Sequence, residues 1–292
     1  MKCKMIQGSP RVLPASEVDI HALVELFNDA FSRYYVELKV TAESLSTLVY
    51  REDIDTASSC VALLGELPVG VAFLAVRGQR GYICGMGVRQ DHQGKGIGDL
   101  LMRAVLHNAS TLNLRDVTLE VVDANFRAIR LYRKFGFVRF RDVGVFLCER
   151  NRSVAPPEGV RIGAVGVRSV AGLSRAFNEM LPAWQNQVES ILKFPARLGA
   201  LVAHADGQAL GYVVYGMAGG NLMVVDFAAS GRLSPERRRH AASALLDQAW
   251  QRVQPPKGRA FNIPLGGYQE QAMQDCGYEL TLRLQEMVLC LE

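Results

Sequence analysis

The sequence of 292 residues lacks the patterns that mark several broad classes of protein. It has no uncharged apolar run long enough to span a bilayer. The segment Met1–Met5 leads to Pro10 without the apolar core of a signal peptide. The net charge is only +4, and apart from Arg237–Arg239 the basic residues are scattered. We therefore expect no membrane insertion and no nucleic-acid partner.

Cysteine and histidine are scarce, and neither is arranged as a set of ligands. The six cysteines form no Cys-x-x-Cys pair, and several lie in apolar runs where a free thiol acts as a small hydrophobic side chain. This usage is typical of a reducing compartment, so we expect a cytoplasmic protein. The five histidines show no metal-ligand spacing, and we predict no metal site.

The chain does contain enough apolar sequence for two packed domains. Hydrophobic residues make up 49% of the chain and charged residues 21%, so a sizeable core is feasible. The segment Arg152–Gly159 contains paired prolines and few large apolar residues, which indicates a linker. We predict a first domain at residues 10–150, a linker at 151–159 and a second domain at 160–292.

In the first domain, strand-like apolar runs alternate with segments of helical periodicity. Helix N-caps are available at Asp19 (or Ser16), Thr41 and Asn125. The predicted strands are Ser59–Leu64, Val69–Val76, Tyr82–Val88 and Val117–Val122, followed by two closing strands at Phe137–Phe140 and Val143–Cys148. The alternation predicts an α/β fold class with a mixed sheet and flanking helices.

A glycine-rich loop follows the strand Tyr82–Val88 and leads directly into a helix. Its sequence, Gln93-Gly94-Lys95-Gly96-Ile97-Gly98, would bring backbone N–H groups and the positive end of a helix dipole to an anion. The loop departs from a P-loop, because Arg89 and Gly96 stand where the first glycine and the Ser/Thr belong. It also lacks the final glycine of the dinucleotide-binding fingerprint. A phosphate or pyrophosphate is the expected ligand.

Two segments together resemble one known family. Gln93, Gly96 and Gly98, preceded by a strand ending at Val88, form a Gln-x-x-Gly-x-Gly pattern similar to the acetyl-CoA loop of the GNAT superfamily of N-acetyltransferases. The later segment resembles the GNAT region that carries the catalytic tyrosine, and is especially similar to N-terminal-alanine acetyltransferases of ribosomal proteins. That segment contains Leu119-Glu120-Val121, Asn125, Ala128, Leu131-Tyr132 and Gly136-Phe137. The resemblance covers about residues 10–150.

The resemblance implies a CoA site on this loop and on the strand before it. Loop amides would surround the pyrophosphate, and the pantetheine arm would pair with the end of the strand like an additional strand. A strand glycine such as Gly87 suits close approach of a ligand, although it is also compatible with an ordinary weak strand. Asn125 would contact the cofactor, or it serves only as a helix cap. The implied cofactor residues are Met86, Gly87, Val88, Gln93, Gly94, Lys95, Gly96, Ile97, Gly98 and Asn125.

The same resemblance assigns roles in acetyl transfer. Tyr132 would be the general acid that protonates the departing sulfur, and its alternative is a core tyrosine. Glu120 would be the base that takes the proton of the amine; the alternatives are a salt-bridged strand carboxylate and a water relay as base. We place acceptor binding in the loop Phe31–Lys39, with Tyr34 and Tyr35 as substrate-binding residues.

The second half of the chain reads as a faint copy of the first. When Leu245-Leu246 is aligned with Leu100-Leu101, the three loop glycines are replaced by Arg239, Ala241 and Ser243. Counted back from Gly277-Tyr278, the position of Tyr132 is Met273. We therefore predict two tandem GNAT-like domains, the second a degenerate one without a CoA loop.

Two functions are consistent with these features. The first is an acetyl-CoA-dependent N-acetyltransferase that acts on a primary amine. The second is a non-catalytic, CoA-responsive binding or regulatory protein, and the degenerate second copy is the feature that favours this alternative. If the second domain walls the acceptor cleft, a small-molecule amine is favoured over a protein N-terminus. We expect a monomer or a homodimer.

Overall fold

The computed structural model describes residues 9–36 and 38–291. The prediction that the chain has no signal peptide rests on Met1–Met5, which lies outside the described residues. Glu37 of the predicted acceptor loop also lies outside them. In the two described ranges, no helix has the length and apolarity needed to cross a membrane. The same ranges contain no group of three or more His, Cys, Asp and Glu side chains arranged to hold a metal ion.

Contacts divide the chain into two units. The N-terminal unit comprises the residues up to Phe140 together with those from Glu286 onwards, and the C-terminal unit comprises Arg141–Gln285. The boundary between the units therefore lies before the predicted domain end at Arg150. Residues 151–159, predicted as a linker, form no helix or strand.

The N-terminal unit is an α/β structure with a mixed sheet. Its strands are β1 (Arg11–Pro14), β2 (Cys60–Leu64), β3 (Leu67–Arg77), β4 (Arg80–Val88) and β5 (Asp116–Val122). Its helices are α1 (Ile20–Ala30), α2 (Ala42–Glu52), α3 (Ile97–Thr111) and α4 (Phe126–Lys134). The strands lie in the order β1-β2-β3-β4-β5; β1 to β4 pair antiparallel, and β4 pairs parallel with β5.

The predicted helix starts are confirmed by their capping contacts. Asp19 accepts hydrogen bonds from the backbone N–H groups of His21 (2.9 Å) and Ala22 (3.2 Å). The Thr41 hydroxyl accepts a hydrogen bond from the Ser44 N–H at 3.2 Å, and the Ser44 hydroxyl accepts one from the Thr41 N–H. Such caps satisfy N–H groups that the first turn of a helix leaves without partners. The apolar faces of α3 and α4 then pack on one side of the sheet, around the buried Leu101 and Leu119.

The C-terminal unit repeats this arrangement. Its first strands are β7 (Arg161–Val165), β8 (Leu198–Ala205), β9 (Gln208–Ala218), β10 (Asn221–Ala229) and β11 (Gly258–Pro264). Its helices are α5 (Val170–Phe177), α6 (Val188–Ile191), α7 (Pro235–Val253) and α8 (Tyr268–Asp275). The order is β7-β8-β9-β10-β11, antiparallel except for the parallel pair β10 and β11.

The closing strand of each sequence half completes the sheet of the other unit. β6 (Val138–Cys148) pairs antiparallel with β11, and the end of β12 (Glu279–Cys290) lies next to β5. The Leu291 N–H donates to the Arg115 carbonyl at 2.8 Å, and Met287 is fully buried in the N-terminal core. β6 is one continuous strand, where the sequence predicts two. The polar residues in its middle belong to the sheet, since the Asp142 carbonyl accepts from the Leu265 N–H at 3.0 Å.

The start of α7 differs from the alignment of the two halves. That alignment places Arg239, Ala241 and Ser243 at a helix start, but α7 begins at Pro235, with the Ser234 hydroxyl as its N-cap. These three residues therefore lie within the helix. The glycine loop of the first half is replaced here by additional helix.

Candidate active site

The site of the N-terminal unit begins where β4 and β5 separate. Their parallel pairing joins Arg80–Tyr82 to Asp116–Thr118. Just beyond, β4 has a bulge: Cys84 and Gly87 pair with Phe73 and Val71, so two residues of β4 face one of β3. Gly85, within the bulge, has a φ of +67°, a conformation that glycine adopts without strain. We call the gap between the ends of β4 and β5 the N-terminal notch.

The glycine loop lies at the open end of this notch and shapes the start of α3. Gly94 and Gly96 have φ values of +79° and +80°, and Gly96 is the N-cap of α3. The first bond of the helix runs from the Leu100 N–H to the Gly96 carbonyl at 3.1 Å. The three preceding N–H groups therefore have no partner in the helix. They give the loop the partial positive charge of a helix N-terminus.

A cleft of about 450 Å³ joins the notch, the loop and α4. The structure brings most of the predicted cofactor residues to this cleft. Those that line it are Met86, Gly87, Val88, Gln93, Gly94, Gly96, Ile97, Gly98 and Asn125. Lys95 is exposed and is outside the lining. Among the predicted catalytic and acceptor residues, Tyr132 and Tyr34 line the cleft, while Glu120 and Tyr35 do not.

Two of the glycines are also needed for packing. A Cβ at Gly87 would lie 2.9 Å from the Phe31 ring and 3.0 Å from the Ala30 Cβ. A Cβ at Gly98 would lie 3.2 Å from a methyl group of Leu131. The sequence interpretation of Gly87 as a site of ligand approach therefore has a simpler physical cause, the close contact of α1 with β4.

Tyr132 lies on the buried face of α4 and lines the cleft. The residue is only 7% exposed, and its ring lies 6.1 Å from that of Phe137. Within the described residues, the hydroxyl has no hydrogen-bond partner. Burial, and to a lesser extent the nearby Tyr34, raises its pKa well above the usual range. The side chain therefore keeps its proton, and the hydroxyl is available to a ligand.

Glu120 lies on the opposite face of the sheet from Tyr132. Its neighbours Leu119 and Val121 belong to the core beneath α3 and α4, so the alternation of β5 turns Glu120 away from that core. Its carboxylate accepts a hydrogen bond from the Tyr82 hydroxyl at 2.8 Å. The two candidate catalytic residues thus lie on different faces of the sheet, and Glu120 is outside the cleft lining.

The two tyrosines of the predicted acceptor loop have different environments. Burial raises the pKa of Tyr34, while hydrogen bonds with the Val122 backbone and the Asn125 side chain act in the opposite direction. Tyr35 is 50% exposed and donates to the Ala124 carbonyl at 3.0 Å. The rings meet edge to face at 5.4 Å. Tyr34 is therefore part of the cleft wall, and Tyr35 ties the loop to the turn before α4.

The sequence interpretation missed the cationic face of α4. Arg127, Arg130 and Lys134 line the cleft, and Lys134 pairs with Asp99 of α3. Arg127 donates to the Gln93 side chain at 2.9 Å and so fixes the loop. Their spacing of three and four residues places them on one side of a helix, a signal that the sequence does contain.

His92 is a second residue that the sequence interpretation missed. It lines the cleft beside Gln93, and its buried Nδ1 has no hydrogen-bond partner among the described residues. No motif singled it out, since it stands one residue before the Gln-x-x-Gly-x-Gly pattern.

These residues fit an extended, anionic cofactor such as acetyl-CoA. The notch leaves the β5-facing side of the Met86–Val88 segment open to an extended chain. The glycines give backbone access at a helix start, and α4 supplies cations beside it. The same loop that would hold a pyrophosphate is held in place by the Gln93 amide, which donates to the Val88 carbonyl at 3.2 Å.

Comparisons with known proteins agree with this geometry. The Acetyltransferase (GNAT) family matches residues 20–137. No curated protein matches the chain. Among solved structures, a GCN5-related N-acetyltransferase from Sphaerobacter thermophilus is similar at a TM-score of 0.75 and 14% identity, over 96% of this chain and 95% of that one. One from Kribbella flavida is similar at a TM-score of 0.61 and 17% identity, over 97% and 71%.

The whole-chain likeness also includes a tandem protein. The tandem GNAT protein from the clavulanic acid biosynthesis pathway is similar at a TM-score of 0.68 and 14% identity, over 97% of this chain and 98% of that one. At sequence identities of 14–17%, these similarities show the fold alone. The narrower likeness to ribosomal-protein alanine acetyltransferases stays a prediction. Residues 20–137 thus match the Acetyltransferase (GNAT) family, and the whole chain is similar in fold to a tandem GNAT protein.

Proposed function

We propose that the N-terminal unit transfers an acetyl group from acetyl-CoA to a primary amine. The observation that carries this proposal is the position of Tyr132: it lines a cleft that also contains the glycine loop and the notch. Acetyl-CoA supplies the thioester, whose carbonyl carbon accepts the amine nitrogen as the carbon–sulfur bond breaks. The cofactor-binding residues are those predicted from the sequence, together with Arg127 and Arg130.

The first task of the protein in this reaction is to orient the acyl group. An amide N–H at the end of β4, near Val88, would donate to the carbonyl oxygen where negative charge develops. One such donor is typically worth about 3 kcal/mol of the barrier. The bulge in β4 supports this assignment, because it turns the end of the strand away from its pairing with β5.

The second task is the movement of two protons. The attacking amine loses a proton to Glu120 or to water molecules that lead to it, and the departing sulfur receives a proton from Tyr132. The raised pKa of Tyr132 keeps that proton in place until charge develops on the sulfur. Because the Glu120 carboxylate is held by Tyr82 and lies outside the cleft lining, the water relay is the preferred form of the base.

The test of this assignment is Tyr132→Phe, with Tyr278→Phe as the matched control. Both tyrosines are buried, and within the described residues neither hydroxyl has a hydrogen-bond partner. Neither change should therefore affect stability. Loss of a general acid should lower kcat of Tyr132→Phe by about 10²–10⁴. Thiol release and amide formation are measured with a panel of amines. A loss below about tenfold would remove Tyr132 from the acid role.

The acceptor remains part of the proposal. We favour a small amine over a protein N-terminus, with Tyr34 in the acceptor wall, and a cytoplasmic enzyme that is a monomer or a homodimer. If acetyl-CoA binds but no amine in the panel stimulates thiol release, the chain is instead a CoA-responsive binding protein.

A further inference from the structure

The C-terminal unit has its own cavity, at the place that corresponds to the N-terminal notch. Parallel pairing of β10 with β11 joins Leu222–Val224 to Gly258–Ala260. Beyond this pairing lies a cavity of about 80 Å³, whose wall includes Asp226 of β10 and Asn262 of β11. We call the gap between the ends of these two strands the C-terminal notch. Asn262 has a φ of +58°, a conformation that is uncommon for a residue other than glycine and that often marks a functional site.

A turn of the chain itself spans this notch. The Asn186 side chain donates to the Val225 carbonyl at 2.5 Å and to the Phe261 carbonyl at 3.0 Å. It thereby joins β10 to β11 where their own pairing has ended. An extended cofactor arm has no room there, and what remains is a short polar cavity.

The cavity contains a buried carboxylate that has no positive partner. Asp226 is 4% exposed and accepts from the Tyr212 hydroxyl at 2.5 Å. Its other hydrogen bonds, from the Phe227 backbone and the Ser174 side chain, also come from neutral groups. Among the described residues, none forms an ion pair with it. Burial raises the pKa of Asp226 to about 7.

Two arginines line the same wall, and neither forms an ion pair with Asp226. Arg238 pairs with Glu179 at 2.6 Å, its guanidinium lies 4.3 Å from the centre of the Tyr268 ring, and its buried Nε has no hydrogen-bond partner among the described residues. Arg141 also lines the wall. A buried carboxylate served only by neutral donors is a costly arrangement, and a bound cation would relieve it. An anionic ligand would add a second negative charge beside Asp226.

We propose that this cavity binds the ammonium group of a small primary amine, with the Asp226 carboxylate as its counter-ion. A primary ammonium donates three hydrogen bonds, and the Asp226 carboxylate can accept one of them. Asn178 donates through its Nδ2 to Tyr212 at 2.8 Å, which leaves its Oδ1 as an acceptor. A cavity of about 80 Å³ leaves room for a small primary ammonium. This site is separate from the proposed acetyl-transfer site.

The positions of the two tryptophans allow binding in the C-terminal cavity to be followed locally. Trp184 and Trp250 are the only tryptophans of the chain, and both belong to the C-terminal unit. Trp184 stands between the lining residues Ala183 and Asn186. The full chain, labelled with 5-fluorotryptophan, is titrated with ethylammonium chloride and followed by ¹⁹F NMR. Ethanol and acetate serve as neutral and anionic probes of similar size.

We expect ethylammonium to shift the Trp184 resonance saturably while the Trp250 resonance stays in place. Ethanol and acetate should produce no such shift. In Asp226→Asn, which keeps the shape of the side chain, the dissociation constant should rise at least tenfold. An unchanged constant in the variant, or a response to acetate instead of ethylammonium, would overturn the proposal.

A second measurement needs no variant. If the ammonium pairs with Asp226, binding must displace the proton that this carboxyl carries near neutral pH. Calorimetry in two buffers of different ionisation heat should then show proton release at pH 6.5 and none at pH 9. Binding without proton release at pH 6.5 would contradict a role for Asp226, whether or not Asp226→Asn folds.

Discussion

The two notches of this chain begin alike and end differently. In each unit, two parallel strands pair over three residues, and the central strand then has a bulge. In the N-terminal unit the strands open into a cleft of about 450 Å³, whereas the C-terminal cavity measures about 80 Å³. Topology alone therefore does not decide whether a cleft stays open. What occupies the space after the strands separate decides it.

The Asn186 bridge and the longer helix α7 account for the smaller space in the C-terminal unit. Asn186 bridges the strands, and α7 begins two turns before the position at which α3 begins. Within α7, the Ser243 hydroxyl and the Arg239 guanidinium both reach Asp275 of α8. In the N-terminal unit the corresponding region is the glycine loop. One copy of the fold thus keeps an opening that the other has closed with its own side chains.

Gly96→Glu should give the largest effect and would make the N-terminal loop resemble its closed counterpart. A side chain at a φ of +80° strains the helix start, and a carboxylate there repels a pyrophosphate. We expect the affinity for acetyl-CoA, measured by calorimetry, to fall by about a thousandfold, roughly 4 kcal/mol.

The matched control for this change is Gly159→Glu. Gly159 has a φ of +76°, and a Cβ added there would meet nothing within 4 Å, as is also the case at Gly96. The control carries the same strain and charge far from any loop glycine in sequence, so acetyl-CoA affinity should be unchanged. An equal loss in both variants would mean that net charge, not the loop, governs binding.

Asn186→Ala should give the next largest effect, on the stability of the C-terminal unit. It removes the donors to two carbonyl groups, Val225 and Phe261. Leaving a buried acceptor without a partner costs about 1–3 kcal/mol, so the free energy of unfolding should fall by about 3 kcal/mol. Urea unfolding followed by tryptophan fluorescence reports on this unit.

The control is Asn221→Ala, because Asn221 makes one exposed hydrogen bond, to the Gly219 carbonyl at 3.3 Å. Its effect should stay within about 0.5 kcal/mol. If Asn186→Ala is equally mild, the strands of the C-terminal notch are held by other contacts.

Local signals in the sequence predicted the N-terminal site because its chemistry is local. The loop glycines, the Asn125 cap and Tyr132 all lie within short segments whose spacing is fixed by one strand, one turn or one helix. The three cations of α4 carried the same kind of signal and were overlooked. The start of α7 could also be predicted from the sequence, since Ser234-Pro235-Glu236 is a typical helix beginning. The alignment on the paired leucines placed the helix start too late in the sequence.

Other features depend on contacts between residues far apart in the sequence. Asn186 bonds to Val225 and Phe261, which are 39 and 75 residues away in the sequence. The residues next to Asn186 contain no pattern that predicts these partners. The exchange of β6 and β12 is similar, because each strand has an ordinary apolar pattern that fits either sheet. A strand pattern fixes which side chains face the core, but leaves the neighbouring strand open.

Asp226→Asn should remove a pH dependence that belongs to the C-terminal notch alone. Burial raises the pKa of Asp226 to about 7 in the folded state, above its unfolded value. The folded state therefore binds the extra proton, and this carboxyl makes the protein less stable as pH rises from 5 to 7. Relative to wild type, the variant should gain about 2 to 3 kcal/mol between pH 5 and pH 8. Urea unfolding at both pH values measures the gain, and a constant difference would contradict the raised pKa.

Arg127→Gln should give the smallest effect and tests whether a cationic wall distinguishes the N-terminal cleft. Arg127 holds Gln93 at 2.9 Å but is exposed, so its loss should weaken acetyl-CoA binding by only about fivefold, more at low salt. Arg133→Gln is the control, because Arg133 lies on the same helix, is exposed, and is outside the cleft lining. Calorimetric titrations at two salt concentrations compare the variants. Equal weakening in both would assign the effect to overall charge, whereas a loss confined to Arg127→Gln would place it in the contact that fixes the loop.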